Sequence, residues 1–576
     1  MGKLSLNDNQ AVYTGSSHWV TILEDIRCLK DELSDEFSNN PTNLVSAPLD
    51  ARLMDGSPAT RTSLLNSAPR LPKEQILAMV PPRKVVDRHV SHFFNAFDMG
   101  PFILYRQKFL AEYANFWNNP QAAPIMWIGL LFSVMSMSAF LQQQDVEGLG
   151  LSAVESVNML ETYRTLTIQC LVAGDYLRPS RYTIETLTIH FAVDQNTNLD
   201  TSLANWILIG VVIRIALRMG LHRDPSHWPD IRPLQAELRR RLWITLYQMD
   251  FFTSTQVGLP RIIKDSQCDT RPPAHLFDSD IGFEHDEIPP ERPLTDPSPL
   301  LFVISRDTII KVAAEIYDAT EAGPPSPATI AELGAKLEGA IEAVPTCLKY
   351  KPLETPIAEN PATILHQMFL DILIHKAIYL LHRRSFVKGS FGKESARSNE
   401  LCIKSALAIL EHQRRMSEET QAGGLMFGIR WKVATSLNHE FLQATMMLCF
   451  ALSRYNEEHP DRTDYGPLPN RDAIVEALAV AKLQWEKITD RSIEAQRATK
   501  AIATVLRQDL DISSTPTLTT SDGLFDQMPG VVPQDYFGNF DYEQNLVLDP
   551  SLFAIDEDVV AFGSILDDFV SEQSDK

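Results

Sequence analysis

Residues 206–250 read WILIGVVIRIALRMGLHRDPSHWPDIRPLQAELRRRLWITLYQMD. From Trp206 to Leu221 the run is apolar apart from Arg214 and Arg218, which stand four apart and would share one face of a helix. Gly220 suits the left-handed residue that closes a helix, and Pro225 follows where the helix cannot continue. A second helix is expected from about Pro233, with Glu237 in its first turn. Its inward stripe is Leu238, Leu242, Leu246 and Met249, and its end is Gly258-Leu259-Pro260. Two long helices around a short polar elbow, with no alternating pattern beside them, predict an all-α fold.

The same period extends outward. Behind Pro81-Pro82, the residues Val86, His89, Val90, Phe93, Phe94 and Phe97 repeat at helical spacing. Further helices are expected over 300–322, 328–344, 364–382, 395–416, 431–455 and 473–506, and a short one over 19–33. Strand signals are nearly absent. The chain of 576 residues has room for two or three domains at roughly 100–200 residues each. We read 1–80 as an N-terminal segment, a short helix and then a disordered Ser/Pro-rich loop, 81–510 as one large multi-helix body, and 511–576 as an acidic tail.

Charge supports that division. The formal charge is −22, and −12 of it lies in residues 522–576, where thirteen acids meet one basic residue. An acidic chain is not built to neutralise phosphates over its whole surface. The tail interleaves its carboxylates with eight aromatics: Phe525, Tyr536, Phe537, Phe540, Tyr542, Phe553, Phe562 and Phe569. Acidic residues mixed with bulky apolar ones describe an amphipathic activation segment. Phe562, Ile565, Leu566 and Phe569 fall at i, i+3/4, i+7 beside Asp567 and Asp568, the pattern of a segment that folds as a helix in a partner's groove.

Several chemistries find no support. The six cysteines, Cys28, Cys170, Cys268, Cys347, Cys402 and Cys449, are scattered and contain no C-x-x-C pair, so neither a local zinc site nor a disulfide framework is indicated. Gly148-Leu-Gly150 lacks the strand that a dinucleotide loop requires, and Gly389-Ser-Phe-Gly392-Lys393 is too short for a phosphate loop. No G-x-S-x-G elbow occurs. His439-Glu440 opens an H-E-x-x-H pattern that Gln443 breaks. The pairs His89/His92 and His375/His382 each offer half a metal site without further ligands, and Arg239-Arg240-Arg241 reads as an ion-paired helix face. The uncharged run 122–141 is long enough to span a membrane, but Pro124, three serines and the lack of a flanking belt favour a buried helix.

The order of motifs resembles one family. Leu217-Arg-Met-Gly-Leu-His222-Arg223-Asp224-Pro225, then Glu237-Leu-Arg-Arg240-Arg241-Leu-Trp243 and Asp250, is similar to the middle homology, or regulatory, domain of fungal zinc-cluster transcription factors. Gly258-Leu-Pro260 stands where that family has G-R-P, with Leu259 in place of the arginine, and Asp269 and Arg271 to Asp278 resemble the loop that follows. Tyr105-Arg-Gln-Lys-Phe109 resembles the entry segment H-R-P-x-F, with Tyr105 and Gln107 replacing His and Pro. Tyr176 to Pro179, Tyr182 to Leu187, Leu381 to Arg384 and His439 to Leu442 extend the resemblance over 81–506.

The resemblance implies an all-α regulatory body in a nuclear regulator of RNA polymerase II genes, plausibly a biosynthetic gene set. It gives His222, Arg223, Asp224, Arg240, Arg241, Trp243, Asp250, Gly258 and Pro260 a structural role and no catalytic one. Transcription machinery or a coactivator would meet the tail through Phe553, Phe562, Ile565, Leu566 and Phe569, and a small-molecule inducer fits the type. The family's DNA-binding module is an N-terminal six-cysteine cluster with two zinc ions. This sequence has none, and Val12 to Trp19 resembles the segment just after the linker. DNA contact and zinc are therefore expected only through a missing module or a partner, and no membrane is implied. The competing reading is a helical small-molecule-binding protein or an enzyme with a pocket between helices, which a complete metal or nucleophile constellation would have favoured.

Overall fold

The computed structural model describes residues 3–7, 10–15, 18–26, 64, 70–143, 153–281, 288–351, 359–388, 396–432, 437–458 and 471–514. All of them belong to one compact unit, Met1–Thr515. Residues 148–150 and 389–393 and the acidic tail, with Phe553, Phe562, Ile565, Leu566 and Phe569, lie outside the described residues.

The described chain is α-helical, with one hairpin: β1 (Lys3–Asn7) pairs antiparallel with β2 (Gln10–Thr14), Leu4 opposite Tyr13 and Leu6 opposite Ala11. This pair is too short and too polar to stand out by period. The first helices are α1 (Trp19–Asp25), α2 (Lys73–Ala78), α3 (Arg83–Ala96), α4 (Gly100–Ile103), α5 (Arg106–Asn118) and α6 (Ile125–Gln143). Then come α7 (Ala153–Ala173), α8 (Thr183–Thr197), α9 (Leu203–Arg218), α10 (Pro233–Val257), α11 (Pro299–Ala322) and α12 (Pro327–Glu342). The last five are α13 (Pro361–Lys388), α14 (Ala396–Glu419), α15 (Asn438–Glu458), α16 (Arg471–Glu486) and α17 (Ile493–Ser514).

Packing follows chain order. The helix α6 is enclosed by α3, α7 and α8, with α9 on α8 and α10 on α9. Beyond α10 come α11 and α13, then α14, α15, α16 and α17, while α1 lies against α15. In α6 every residue from Met126 to Leu141 is buried, because its surface is apolar all round and leaves no face for water. Among the described residues two helices are long and apolar enough to cross a membrane, Ile125–Gln143 and Pro361–Val387, and 89% and 72% of their apolar windows lie inside the protein. Neighbouring helices thus account for both compositions. Within this core Ser138 meets His89 at 3.0 Å and His92 at 3.2 Å, and His382 meets Ser398 at 3.2 Å.

The helix expected over 19–33 ends at Asp25, where Ile26 is extended, and two further expected helices differ in their starts or division. The run 473–506 is two helices, because the α17 N-terminus is capped twice: Ser492 accepts the Ala495 N–H at 2.9 Å, and the distant Asp200 carboxylate accepts the Ile493 N–H at 3.0 Å. The helix expected from 431 begins at Asn438, and the residues before the gap form a kinked 3-10 segment, Phe427–Lys432.

One buried ion pair ties three helices together. Lys376 of α13, 1% exposed, donates to Glu440 of α15 at 2.6 Å and to Thr255 of α10 at 2.9 Å. Its ammonium also faces the rings of Phe251 and Phe252 at 5.3 and 5.6 Å. In this dry setting, removing one partner strands the other. Lys376→Met is expected to lower stability by about 3–5 kcal/mol, while Lys376→Met with Glu440→Leu recovers at least half of that loss in urea unfolding. A double variant no more stable than the single one would refute the pair as the cause.

Candidate functional site

The elbow between α9 and α10 gathers the signature residues. Helix α9 ends through Leu221 N–H to Ala216 O at 3.1 Å and Gly220 N–H to Leu217 O at 3.0 Å. Gly220 has φ +71°, the left-handed residue such a double closure demands. The chain then turns through His222, Arg223 and Asp224 into the 3-10 turn Pro225–His227.

Asp224, 3% exposed, is the hub of the elbow. Its carboxylate accepts both Nε and Nη2 of Arg240 at 2.9 Å. It also accepts the Ser226 N–H at 3.0 Å, the Arg271 N–H at 3.0 Å and Arg271 Nη2 at 3.1 Å. The Arg240 fork above all holds this carboxyl far below the usual carboxylate range. Asp269 repeats the device on the loop side: it accepts the Asp224 N–H at 2.8 Å and His227 Nε2 at 2.7 Å, and pairs with Arg223 at 3.2 Å. Thr270 donates to Leu221 O at 2.7 Å and Arg239 to Met219 O at 2.8 Å. His222 lies 6.3 Å from Trp243 ring to ring, and burial lowers its pKa.

One turn further, Arg241 is fully buried. It donates to Glu237 at 3.1 Å, Asp278 at 2.7 Å, Leu276 O at 2.7 Å and Pro101 O at 3.2 Å. Glu237, beyond the first turn of α10, also accepts the Ala274 N–H at 3.2 Å, and Asp278 accepts the Arg106 N–H at 3.0 Å. The guanidinium thus fastens the 271–278 loop and the α4–α5 junction to α10. The expected stripe holds at its middle, where Leu242 and Leu246 are buried, but Leu238 and Met249 at its ends are half-buried, and Glu237 and Arg241 are enclosed beside it. Side chains that pair inside the core have overridden the apolar period.

At the far end of α10, Asp250 is fully buried and caps the next segment, accepting the Ile262 N–H at 3.0 Å and the Ile263 N–H at 2.8 Å. Burial raises its pKa, against the pull of these amides. Gly258 closes the helix with φ +66°, Leu259 N–H reaching Ser254 O at 3.0 Å, while Pro260 is exposed. Arg261 pairs with Asp318 at 3.0 Å and Asp265 at 3.2 Å.

The structure therefore brings His222, Arg223, Asp224, Arg240, Arg241 and Trp243 together at one elbow and puts Asp250, Gly258 and Pro260 at the other end of the same helix. The ion pairs of Arg223 with Asp269, Arg240 with Asp224 and Arg241 with Glu237 and Asp278 make bracing the chemistry of this cluster. Sequence reasoning missed Lys376, Asp200 and Asp318, whose partners lie 54 to 294 residues away; the one visible signal was a lysine inside the apolar stretch of α13. Among the described residues no three His, Cys, Asp or Glu side chains form a metal-binding group. Cys170, Cys402 and Cys449 are buried in helices, and burial pushes the Cys170 and Cys402 thiols well up. These cysteines pack the core and do not fit a zinc cluster.

Because the Asp224 pKa is depressed in the folded state, its stabilisation is complete above the unfolded value, about 4, and is lost as the pH falls below it. Asp224→Asn is expected to lower stability by about 2–3 kcal/mol at neutral pH. Denaturation at stepped pH should show the gap from the parent closing below about pH 4; a gap independent of pH would refute the ionic role.

Comparison with known proteins agrees with this scaffold. The family described as "Fungal specific transcription factor domain" matches residues 90–318, which contain the whole elbow. The "Zn(2)-C6 fungal-type transcription factor mpsB" of Macrophomina phaseolina (strain MS6) is 36% identical over 533 residues, covering 90% of this chain and 70% of that protein. The "Equisetin cluster transcription factor eqxF" of Fusarium heterosporum is 33% identical, covering 88% and 72%. The "Transcription factor phm2" of a Pyrenochaetopsis species is 32% identical, covering 96% and 75%. Similarity of this extent runs well past the elbow on both sides, and on it the chain belongs to the Zn(2)-C6 fungal-type transcription factors.

Proposed function

We propose that this transcription regulator works in the nucleus on RNA polymerase II genes, and that residues 511–576 are its activating arm. The observation that carries this reading is the composition of 522–576: thirteen acids, one basic residue and eight aromatics. Carboxylates keep such a segment solvated, while its rings bind an apolar groove on a coactivator or on the transcription machinery. Phe562, Ile565, Leu566 and Phe569 are the main contacts, with Phe553 upstream of them.

The helical body, residues 81–510, is the regulatory part, with His222, Arg223, Asp224, Arg240, Arg241, Trp243, Asp250, Gly258 and Pro260 keeping it rigid. DNA is reached through an N-terminal zinc module or a partner that carries one, and zinc enters there. A biosynthetic gene cluster as target is supported by relatives whose names assign them to clusters, equisetin among them, and a small-molecule inducer fits the type.

A reporter assay tests the arm. Residues 522–576 fused to a heterologous DNA-binding domain are expected to activate at least tenfold over that domain alone, and Phe562→Ala, Ile565→Ala and Phe569→Ala together should remove most of the gain. No activation by the parent segment would sink the proposal.

A further inference from the structure

The signature glycine Gly258 has a second neighbour besides its own helix. A Cβ on Gly258 would stand 2.9 Å from His18 Cβ and 3.0 Å from the His18 nitrogen, and a Cβ on Gly15 would lie 1.6 Å from Gly258 O. Two glycines thus let the N-terminal segment touch the C-terminus of α10 backbone to backbone. From that seat the chain enters α1, whose N-cap His18 accepts the Val20 N–H on Nδ1 at 3.2 Å, while Thr21 Oγ1 donates back to Gly15 O at 3.0 Å. Trp19, Ile22 and Ile26 are each 1% exposed. The Trp19 indole donates to Glu494 of α17 at 3.2 Å, with Arg497 over its ring at 6.0 Å. Among the described residues this segment packs chiefly on α15, with α17, the end of α10 and Arg383 of α13 beside it, and a short segment of this kind can open as a small unit by itself.

We propose that residues 10–15 and 18–26 form a detachable strap, seated on Gly258 and in the Trp19 pocket at neutral pH and released as a unit when His18 and His439 take up protons. The geometry supplies the reason. His18 uses its unprotonated Nδ1 to cap α1, so a proton there removes the cap. The charged groups facing it are the cations Arg383 of α13 and Arg497 of α17, and His439 of α15 in turn faces Lys376 and His18. The neighbouring carboxylates are engaged elsewhere: Glu440 accepts from Lys376 and Glu494 from the Trp19 indole. Burial and these cations hold His18 at about 4, and His439 lies well below its ordinary value. Glu494 acts in the opposite sense: burial under the strap and Asp200 nearby push it up to about 7, eased by Thr201 and Trp19. On opening, His18 and His439 therefore take up protons while Glu494 gives one up, and with two histidines against one carboxyl acidification below neutrality favours release.

What release changes is the freedom of the hairpin β1–β2 and of anything joined to its N-terminal side; the inference does not rest on the role proposed for the tail. The test is amide hydrogen exchange on the full chain at pH 7.0 and 5.5, corrected for the intrinsic rates, with α6 and α10 as internal controls for global folding. Net proton uptake makes opening of amides 19–26 rise several-fold over this interval. His18→Asn keeps an N-cap acceptor and should flatten the response, whereas Glu494→Gln should steepen it several-fold further. Gly15→Ala, at a position without left-handed backbone, should unseat the strap at both pH values and leave α6 protected. The same pH response in parent, His18→Asn and Glu494→Gln chains, or amides 19–26 that open only together with α6, would overturn the proposal.

Discussion

A guanidinium with no exposed surface stands at the centre of this fold. Water cannot solvate Arg241, so the protein must offer acceptors on every side: Glu237 from its own helix, Asp278 and Leu276 from the following loop, and Pro101 from α4. Meeting that demand fixes where the loop after α10 returns. It also fixes how α10 sits against the N-terminal helices. The planar fork of arginine reaches these acceptors at once, which an ammonium could not do.

The neighbouring Asp224 cluster extends the same logic to the surface. Two carboxylates, Asp224 and Asp269, take hydrogen bonds from backbone amides and from Arg223, Arg240 and Arg271. Together with Asp250, which caps residues 262–263, they turn a long irregular connection into part of the scaffold. A helical stack bears its loops best when side chains replace missing helical partners for their amides. The signature is therefore best understood as a set of braces around α10. Gly258, at the end of that helix, adds a seat for the N-terminal segment.

Much of this was legible in order along the chain. Pro81-Pro82, Gly220 and Gly258 mark helix ends by their own conformational rules, and the uniform apolarity of α6 announces a helix without a wet face. The failures have local reasons. Nothing near Ser492 shows that Asp200 would cap it from another helix pair, so one helix was expected where there are two. At the ends of the α10 stripe, buried polar side chains stand where Leu238 and Met249 would face inward: Glu237 and Arg241 at one end, Gln248 and Asp250 at the other.

By itself the sequence determined the α class, the helix ends that depend on proline and glycine, the acidic character of the tail and the presence of a family signature. These follow from backbone sterics, side-chain period and charge, all readable within a few turns. Only the tertiary structure decided what the signature charges do, that Lys376 joins Glu440 and Thr255, and that Gly15 and His18 rest on Gly258. Each of those depends on groups far apart in the chain meeting where water is excluded, and the strength of a charge pair there is set by its surroundings rather than by its neighbours in sequence.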